Sequence, residues 1–198
     1  EVVNAYLGGL ERARANGHDL GRIHSVASVF VSRLDSAVDP RLPGEEAAAL
    51  RGSAGIANAR LVYEIFQQSL TTERAKVLLA AGANPQRPLW ASTGTKDPAL
   101  PDTHYVDELI LPGTVNTMPA ATLAAFADHG SLPDFPVTDE ALAALYRDAD
   151  AVLNAIDAAG VDYAEATETL EAEGVQKFRD SWSELLGVVR AALEEASR

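Results

Sequence analysis

The segment Arg87-Pro-Leu-Trp-Ala-Ser-Thr-Gly-Thr-Lys-Asp-Pro98 passes abruptly from an apolar run into small hydroxyl residues, a glycine and a lysine, and stops at a proline. Pro-Leu-Trp-Ala has the length of a buried strand, while Ser92, Thr93, Gly94, Thr95 and Lys96 cannot all be core. Ser28-Val-Phe-Val-Ser-Arg33 repeats the design earlier in the chain. Helical patterning separates the two segments, so the pattern predicts parallel strands joined by right-handed crossovers. Polar residues at the C-terminal end of a buried parallel strand mark where α/β proteins place ligands. Two strand ends bearing hydroxyls and a cation suit a phosphorylated, polyhydroxylated ligand.

Around these segments the apolar spacing predicts mostly helix. Residues 1–16 place Val2, Val3, Tyr6, Leu7 and Leu10 on one side, with Asn16-Gly17 closing the helix. Arg22–Arg33 reads as the first strand, dense in Ile23, Val26, Val29, Phe30 and Val31. A long helix is predicted from Glu45 to Gln68 after a loop at Pro40 and Pro43-Gly44, then a shorter one over Thr72–Ala81. Arg87–Thr95 is the second strand and Tyr105–Leu111 the third, ending at Pro112-Gly113. Thr117 is the expected N-cap of a helix over 118–128 that Gly130 closes, and a proline-containing loop follows. Further helices are expected at 139–158, 163–172 and 174–196. On the last of these Val175, Phe178, Trp182, Leu185, Leu186, Val189 and Leu193 form one apolar stripe, which makes Phe178 and Trp182 core residues. Three strands alone would leave bare edges, so the sheet is expected to be completed by strands outside the chain.

Composition excludes several function classes. The chain has 198 residues, enough for one domain with a sizeable core, and its net charge of −13 disfavours nucleic acid or an anionic membrane as partner. Residues 138–198 carry 14 acidic and 5 basic side chains, a charge excess that suits solvated helix faces. There is no cysteine, hence no disulfide, thiolate metal site or cysteine nucleophile, which suits a reducing cytosol. No apolar run approaches bilayer length, and no signal-peptide pattern is visible. The chain opens at Glu1 without a methionine and inside an amphipathic helix, which is expected of a fragment.

The residues suited to chemistry cluster at the strand ends. Ser28, Phe30 and Ser32 share one face of the first strand by alternation, and Arg33 follows with a fork of donors matched to phosphate. Lys96 is one of three lysines, with Lys76 and Lys177 on predicted helices. It suits either a phosphate-binding point charge or a Schiff-base amine. The amine role needs a dry pocket, and a lysine beside Gly94 and Asp97 in a polar loop favours phosphate. Thr114, Asn116 and Thr117 follow the third strand and suit either ligand contact or turn and cap chemistry. The four histidines show no metal-ligand spacing, and no P-loop, GxGxxG or GxSxG occurs.

Taken together, three segments resemble the transaldolases of actinobacteria: Ile23–Asp35 around Ser-Val-Phe-Val-Ser-Arg, Arg87–Lys96 with Leu-Trp-Ala-Ser-Thr-Gly-Thr-Lys, and Glu108–Pro119 with Leu-Pro-Gly-Thr-Val-Asn-Thr-Met-Pro. The tail Glu173–Leu186 fits the same family, so the resemblance covers essentially the whole chain. It implies a partial (β/α)8 TIM barrel, with residues 1–198 forming the C-terminal part of a single barrel domain: strands six to eight, their helices and extra C-terminal helices, the N-terminal barrel half absent. It implies a cytoplasmic enzyme of the pentose phosphate pathway that moves a dihydroxyacetone unit between sugar phosphates through a lysine Schiff base, without metal or organic cofactor. Donor and acceptor would be sedoheptulose 7-phosphate and glyceraldehyde 3-phosphate, and the products erythrose 4-phosphate and fructose 6-phosphate. The Schiff-base lysine of the family lies on its fourth strand, hence upstream of Glu1. By position, Ser28 matches the serine that touches the dihydroxyacetone moiety, Phe30 lines the pocket, Arg33 matches the phosphate-binding arginine, and Ser92 matches the hydroxyl of strand seven. Many relatives carry an arginine just beyond that serine. Gly94 and Thr95 stand there in this chain, which leaves Lys96 as the second cation. A fructose-6-phosphate aldolase and a non-catalytic sugar-phosphate-binding half-barrel are the alternatives.

Overall fold

The computed structural model describes residues 1–133 and 137–197, which divide into two compact units, Glu1–Val161 and Asp162–Arg198. The first unit runs α1 (Val2–Ala15), β1 (Ser25–Phe30), α2 (Val31–Val38), α3 (Ala54–Leu70), α4 (Glu73–Ala80) and β2 (Gln86–Ala91). It continues with a short helical turn α5 (His104–Asp107), then β3 (Val115–Asn116), α6 (Ala120–His129) and α7 (Asp139–Ala158). Among the described residues the strands form one parallel sheet in the order β1-β2-β3. Ser25 to Phe30 pair with Gln86 to Ala91 in step, and Leu89 and Trp90 pair with Val115 and Asn116. The α/β class and the parallel pairing agree with the sequence pattern.

The main core gathers where α3 packs against β2 and α7. Val31, Ile56, Tyr63, Phe66, Trp90, Tyr105, Leu109 and Leu142 are buried together. Trp90 is fully buried, and its indole N–H donates to the Leu109 carbonyl at 3.0 Å, so burial strands no donor. A second cluster of Leu10, Leu20, Leu78 and Ala83 fastens α1 to α4 and the turn after α1.

Several boundaries differ from expectation, each for a local reason. The third strand is not Tyr105–Leu111. Tyr105 and Val106 on α5 and Leu109 in the turn after it have helical spacing and are all buried, so they enter the core from a helical turn, and the strand follows the Pro112-Gly113 turn, where Gly113 has φ +76°. The first strand stops at Phe30, and Ser32 and Arg33 lie on α2 rather than on the strand. The helix predicted from Glu45 is interrupted at Gly52, whose φ of +72° is left-handed, and α3 begins at Ala54. Thr117 does not cap the next helix: its hydroxyl donates to the Trp90 carbonyl at 3.0 Å, and α6 starts beyond Pro119. The loop expected between Gly130 and residue 139 includes residues 134–136, which lie outside the described residues.

The second unit is one helix, α8 (Tyr163–Ala196), capped by the Asp162 carboxylate on the Glu165 N–H at 3.0 Å. The break expected near residue 173 does not occur. A single interior glycine costs a helix only about 1 kcal/mol, and the strong helix formers Glu171, Ala172, Glu173, Gln176 and Lys177 stand around Gly174. Phe178 and Trp182 are 75% and 61% exposed, so they are not core residues of this unit. A lone helix has no second element of its own against which to bury a stripe.

Candidate functional site

At the end of β1 the chain enters α2 without a loop, with Phe30 as the residue flanking the first helical turn. That junction puts Arg33 one turn beyond Phe30, and the guanidinium carbon lies 4.3 Å from the Phe30 ring centroid. A guanidinium stacked on an aromatic face keeps its N–H edge for other acceptors while its plane is held. Both side chains are exposed, as is Ser28, which alternates with Phe30 on the same face of β1. Ser28 is therefore not the buried core hydroxyl that an apolar strand would suggest.

At the end of β2 the backbone turns sharply. Ser92 has φ 58°, the one non-glycine residue with positive φ among the described residues, a conformation that costs an L-residue about 1–2 kcal/mol. Four contacts hold it or its neighbour in place. The Ser92 carbonyl accepts the Ser32 N–H at 3.1 Å, and the two hydroxyls lie 3.0 Å apart. Thr93 is fully buried, with its hydroxyl 2.8 Å from the Thr117 carbonyl and 3.0 Å from Asn116 Oδ1. Strain of this kind, fixed by surrounding hydrogen bonds, is a recurrent mark of functional sites.

Beyond Ser92, Gly94 packs against the start of α6, and a Cβ there would lie 3.1 Å from Pro119 Cγ. The loop then ties itself together: Thr95 Oγ1 donates to the Pro101 carbonyl at 2.8 Å, and Asp97 Oδ1 accepts the Ala99 N–H at 2.9 Å. Lys96 is left exposed at its tip, with no hydrogen bond or ion pair among the described residues.

Thus Phe30 and Arg33 are in direct contact, Ser28 shares β1 with Phe30, and Ser92 joins them through Ser32. Lys96 is on the same loop as Ser92 but is tied to none of the others. Thr114, Asn116 and Thr117 serve turn and strand-end bonding: the Thr114 hydroxyl donates to the Leu111 carbonyl at 2.7 Å. Ser32 and Thr93 hold the β2 end in place, which their sequence neighbourhood does not show. Their roles depend on partners 60 and 24 residues away, and no local signal encodes those distances. Among the described residues no cluster of three or more histidine, aspartate and glutamate side chains could hold a metal ion, and no helix is long and apolar enough to cross a membrane.

Comparison with known proteins fits this geometry to a family. Residues 4–189 match the family model described as transaldolase/fructose-6-phosphate aldolase. A transaldolase of Arthrobacter sp. (strain FB24) is 54% identical over 200 residues, covering 100% of this chain and 53% of that protein. The transaldolase of Kocuria rhizophila is 58% identical, covering 98% of the chain and 52% of its own length. Transaldolase 1 of Streptomyces coelicolor is 54% identical over 98% of the chain and 50% of its own length. The chain spans about half the length of the curated relatives it matches. With the three resembling segments placed at the ends of one parallel sheet and the match running through nearly all of its residues, the chain belongs to the transaldolase/fructose-6-phosphate aldolase family.

Proposed function

We propose that this chain forms the C-terminal part of a transaldolase barrel and supplies the phosphate- and carbinol-binding side of its active site. The complete enzyme moves a dihydroxyacetone unit from sedoheptulose 7-phosphate to glyceraldehyde 3-phosphate, yielding erythrose 4-phosphate and fructose 6-phosphate in the cytoplasm. The carrying observation is the pairing of a Phe30-stacked Arg33 with the strained Ser92 at adjacent ends of parallel strands, in a chain of this family. The outer edge of β1, unpaired among the described residues, and its exposed Val26, Ser28 and Phe30 support continuation of the sheet by further barrel strands.

In this reading each residue has a role. Arg33 binds the substrate phosphate through its free N–H edge, and Phe30 both fixes the guanidinium plane and lines the pocket. Ser28 donates to a hydroxyl of the dihydroxyacetone moiety. Ser92 adds a hydroxyl from the neighbouring strand end, and Lys96 supplies a second positive charge toward phosphate. The Schiff-base lysine is contributed by a segment outside this chain, so residues 1–198 alone are inactive. No metal or organic cofactor takes part.

The test uses the complete polypeptide that contains this chain. Arg33→Ala raises KM for fructose 6-phosphate far more than for unphosphorylated dihydroxyacetone, because a lost charge-assisted contact costs about 1.5–3 kcal/mol. Equal effects on both substrates would remove Arg33 from the phosphate site. The family description also names fructose-6-phosphate aldolase. Release of free dihydroxyacetone in the absence of an acceptor aldehyde marks that chemistry, whereas strict dependence on the acceptor marks transfer.

A further inference from the structure

Helix α3 is capped in an unusual way. Thr72 and Thr138 cap α4 and α7 through their own side chains, but Ser53 makes no such bond to the first turn of α3. The Gly55 N–H is instead received at 2.8 Å by Oδ1 of Asp35, which lies on α2, is 2% exposed and stands two residues after Arg33. Asp39, just past α2, receives the Gly52 N–H on both carboxylate oxygens, at 3.1 and 3.2 Å. Both carboxylates therefore sit at the electropositive end of α3. The helices meet so closely that a Cβ on Gly55 would lie 2.5 Å from the Val31 carbonyl oxygen and 2.9 Å from Asp35 Oδ2. Burial pushes the Asp35 carboxyl up, against the opposing pull of Gly55 and of the Tyr105 phenol that faces it. A serine cap would satisfy α3 with no buried charge. Taking the cap from α2 makes capping one helix and docking the other a single event.

We propose that Asp35 is a positioning residue for Arg33, with Asp39 as the second point of the same clasp: the two carboxylates seat α2 on the first turn of α3 and so fix where the guanidinium stands at the strand end. On its other side α2 is tied to β2 through Ser32 and Ser92. An eight-residue helix held at both sides has little freedom to tilt, which gives Arg33 one position rather than several. The inference rests on the reading of Arg33 as the phosphate contact.

The experiment measures KM and kcat of the complete polypeptide for fructose 6-phosphate and for dihydroxyacetone, with backbone amide exchange at Gly52 and Gly55 read in parallel. Asp35→Ala is expected to raise KM for the phosphorylated donor on the order of tenfold while kcat and the dihydroxyacetone KM change little. Asp35→Asn retains an oxygen acceptor for Gly55 and returns KM toward the wild-type value. Asp39→Ala acts in the same direction with a smaller effect and stands in if Asp35→Ala fails to fold. Faster exchange at Gly55 without a selective change in KM would overturn the positioning role and leave Asp35 as a fold contact only. Unchanged exchange in both alanine variants would overturn the clasp itself. A wild-type protein that does not turn over sugar phosphates would instead sink the functional reading on which the inference stands.

Discussion

At the end of β1 the chain passes straight into α2, whereas at the end of β2 it turns on Ser92 and becomes a loop. The first junction is relaxed in its backbone but relies on two aspartates, one buried and one half-buried, to seat the helix that follows. The second has neutral partners throughout, hydroxyls and carbonyls, but stores strain at a residue in the left-handed region. Two neighbouring strand ends thus hold site residues in place by different means, buried charge on one side and backbone strain on the other. The first is sensitive to pH, the second to the identity of one side chain.

The largest expected effect probes what lies beneath each end. Trp90 is fully buried below the β2 end, and Trp90→Ala should cost about 3–5 kcal/mol in chemical denaturation. Phe30→Ala should cost much less, because its ring is 46% exposed. Similar losses would show that the two ends do not differ in their packing.

The second probe is titration. Asp39 is pushed up to about 6, chiefly by burial, with the neighbouring Asp35 and Asp97 adding to the rise and Gly52 and Arg51 opposing it. Its folded value lies above the ordinary carboxylate value, so the folded state binds the proton more tightly than the unfolded one. The penalty is therefore absent below pH about 4, grows as pH rises through about 6 and is complete above it. Asp39→Asn should stabilise the protein at pH 7.5 by about 1 kcal/mol, a figure reduced for the partial exposure of the group, and should have no stabilising effect near pH 4. Thermal unfolding at the two pH values checks this. A gain that persists at pH 4 would mean that charge is not what the substitution relieves.

The smallest effect concerns strain. Ser92→Gly and Ser92→Ala both remove the hydroxyl contact with Ser32, but only glycine relaxes the positive φ. Glycine should be the more stable variant by about 0.5–1 kcal/mol, with the difference independent of pH. Equal stability of the two would show that the left-handed conformation costs nothing at this position.

Ser28 and Phe30 share one face of β1 as the alternation predicts, and the hydroxyl run after Trp90 does mark a strand end. Tyr105–Leu111 shows where pattern fails. Short apolar runs fit strand and helix equally, and the run becomes a helical turn because it fills the core around Trp90, while a two-residue strand is too short to leave a periodicity. Arg33 was recognisable by type and place, yet its stacking on Phe30 depends on the strand ending one residue before the helix begins. Asp35 and Asp39 carry no local signal of their roles, since the amides they bind lie 20 and 13 residues further along the chain.

The sequence by itself determined the alternation of strand and helix, the parallel order and the grouping of hydroxyls and cations at strand ends, because periodicity and turn chemistry are local properties. Only the tertiary structure decided that Ser92 is strained, that Ser32 and Thr93 hold the β2 end, and that α3 takes its cap from α2. Those facts depend on which backbone groups meet across long separations in the chain, and a buried amide takes whichever acceptor the packing brings to it.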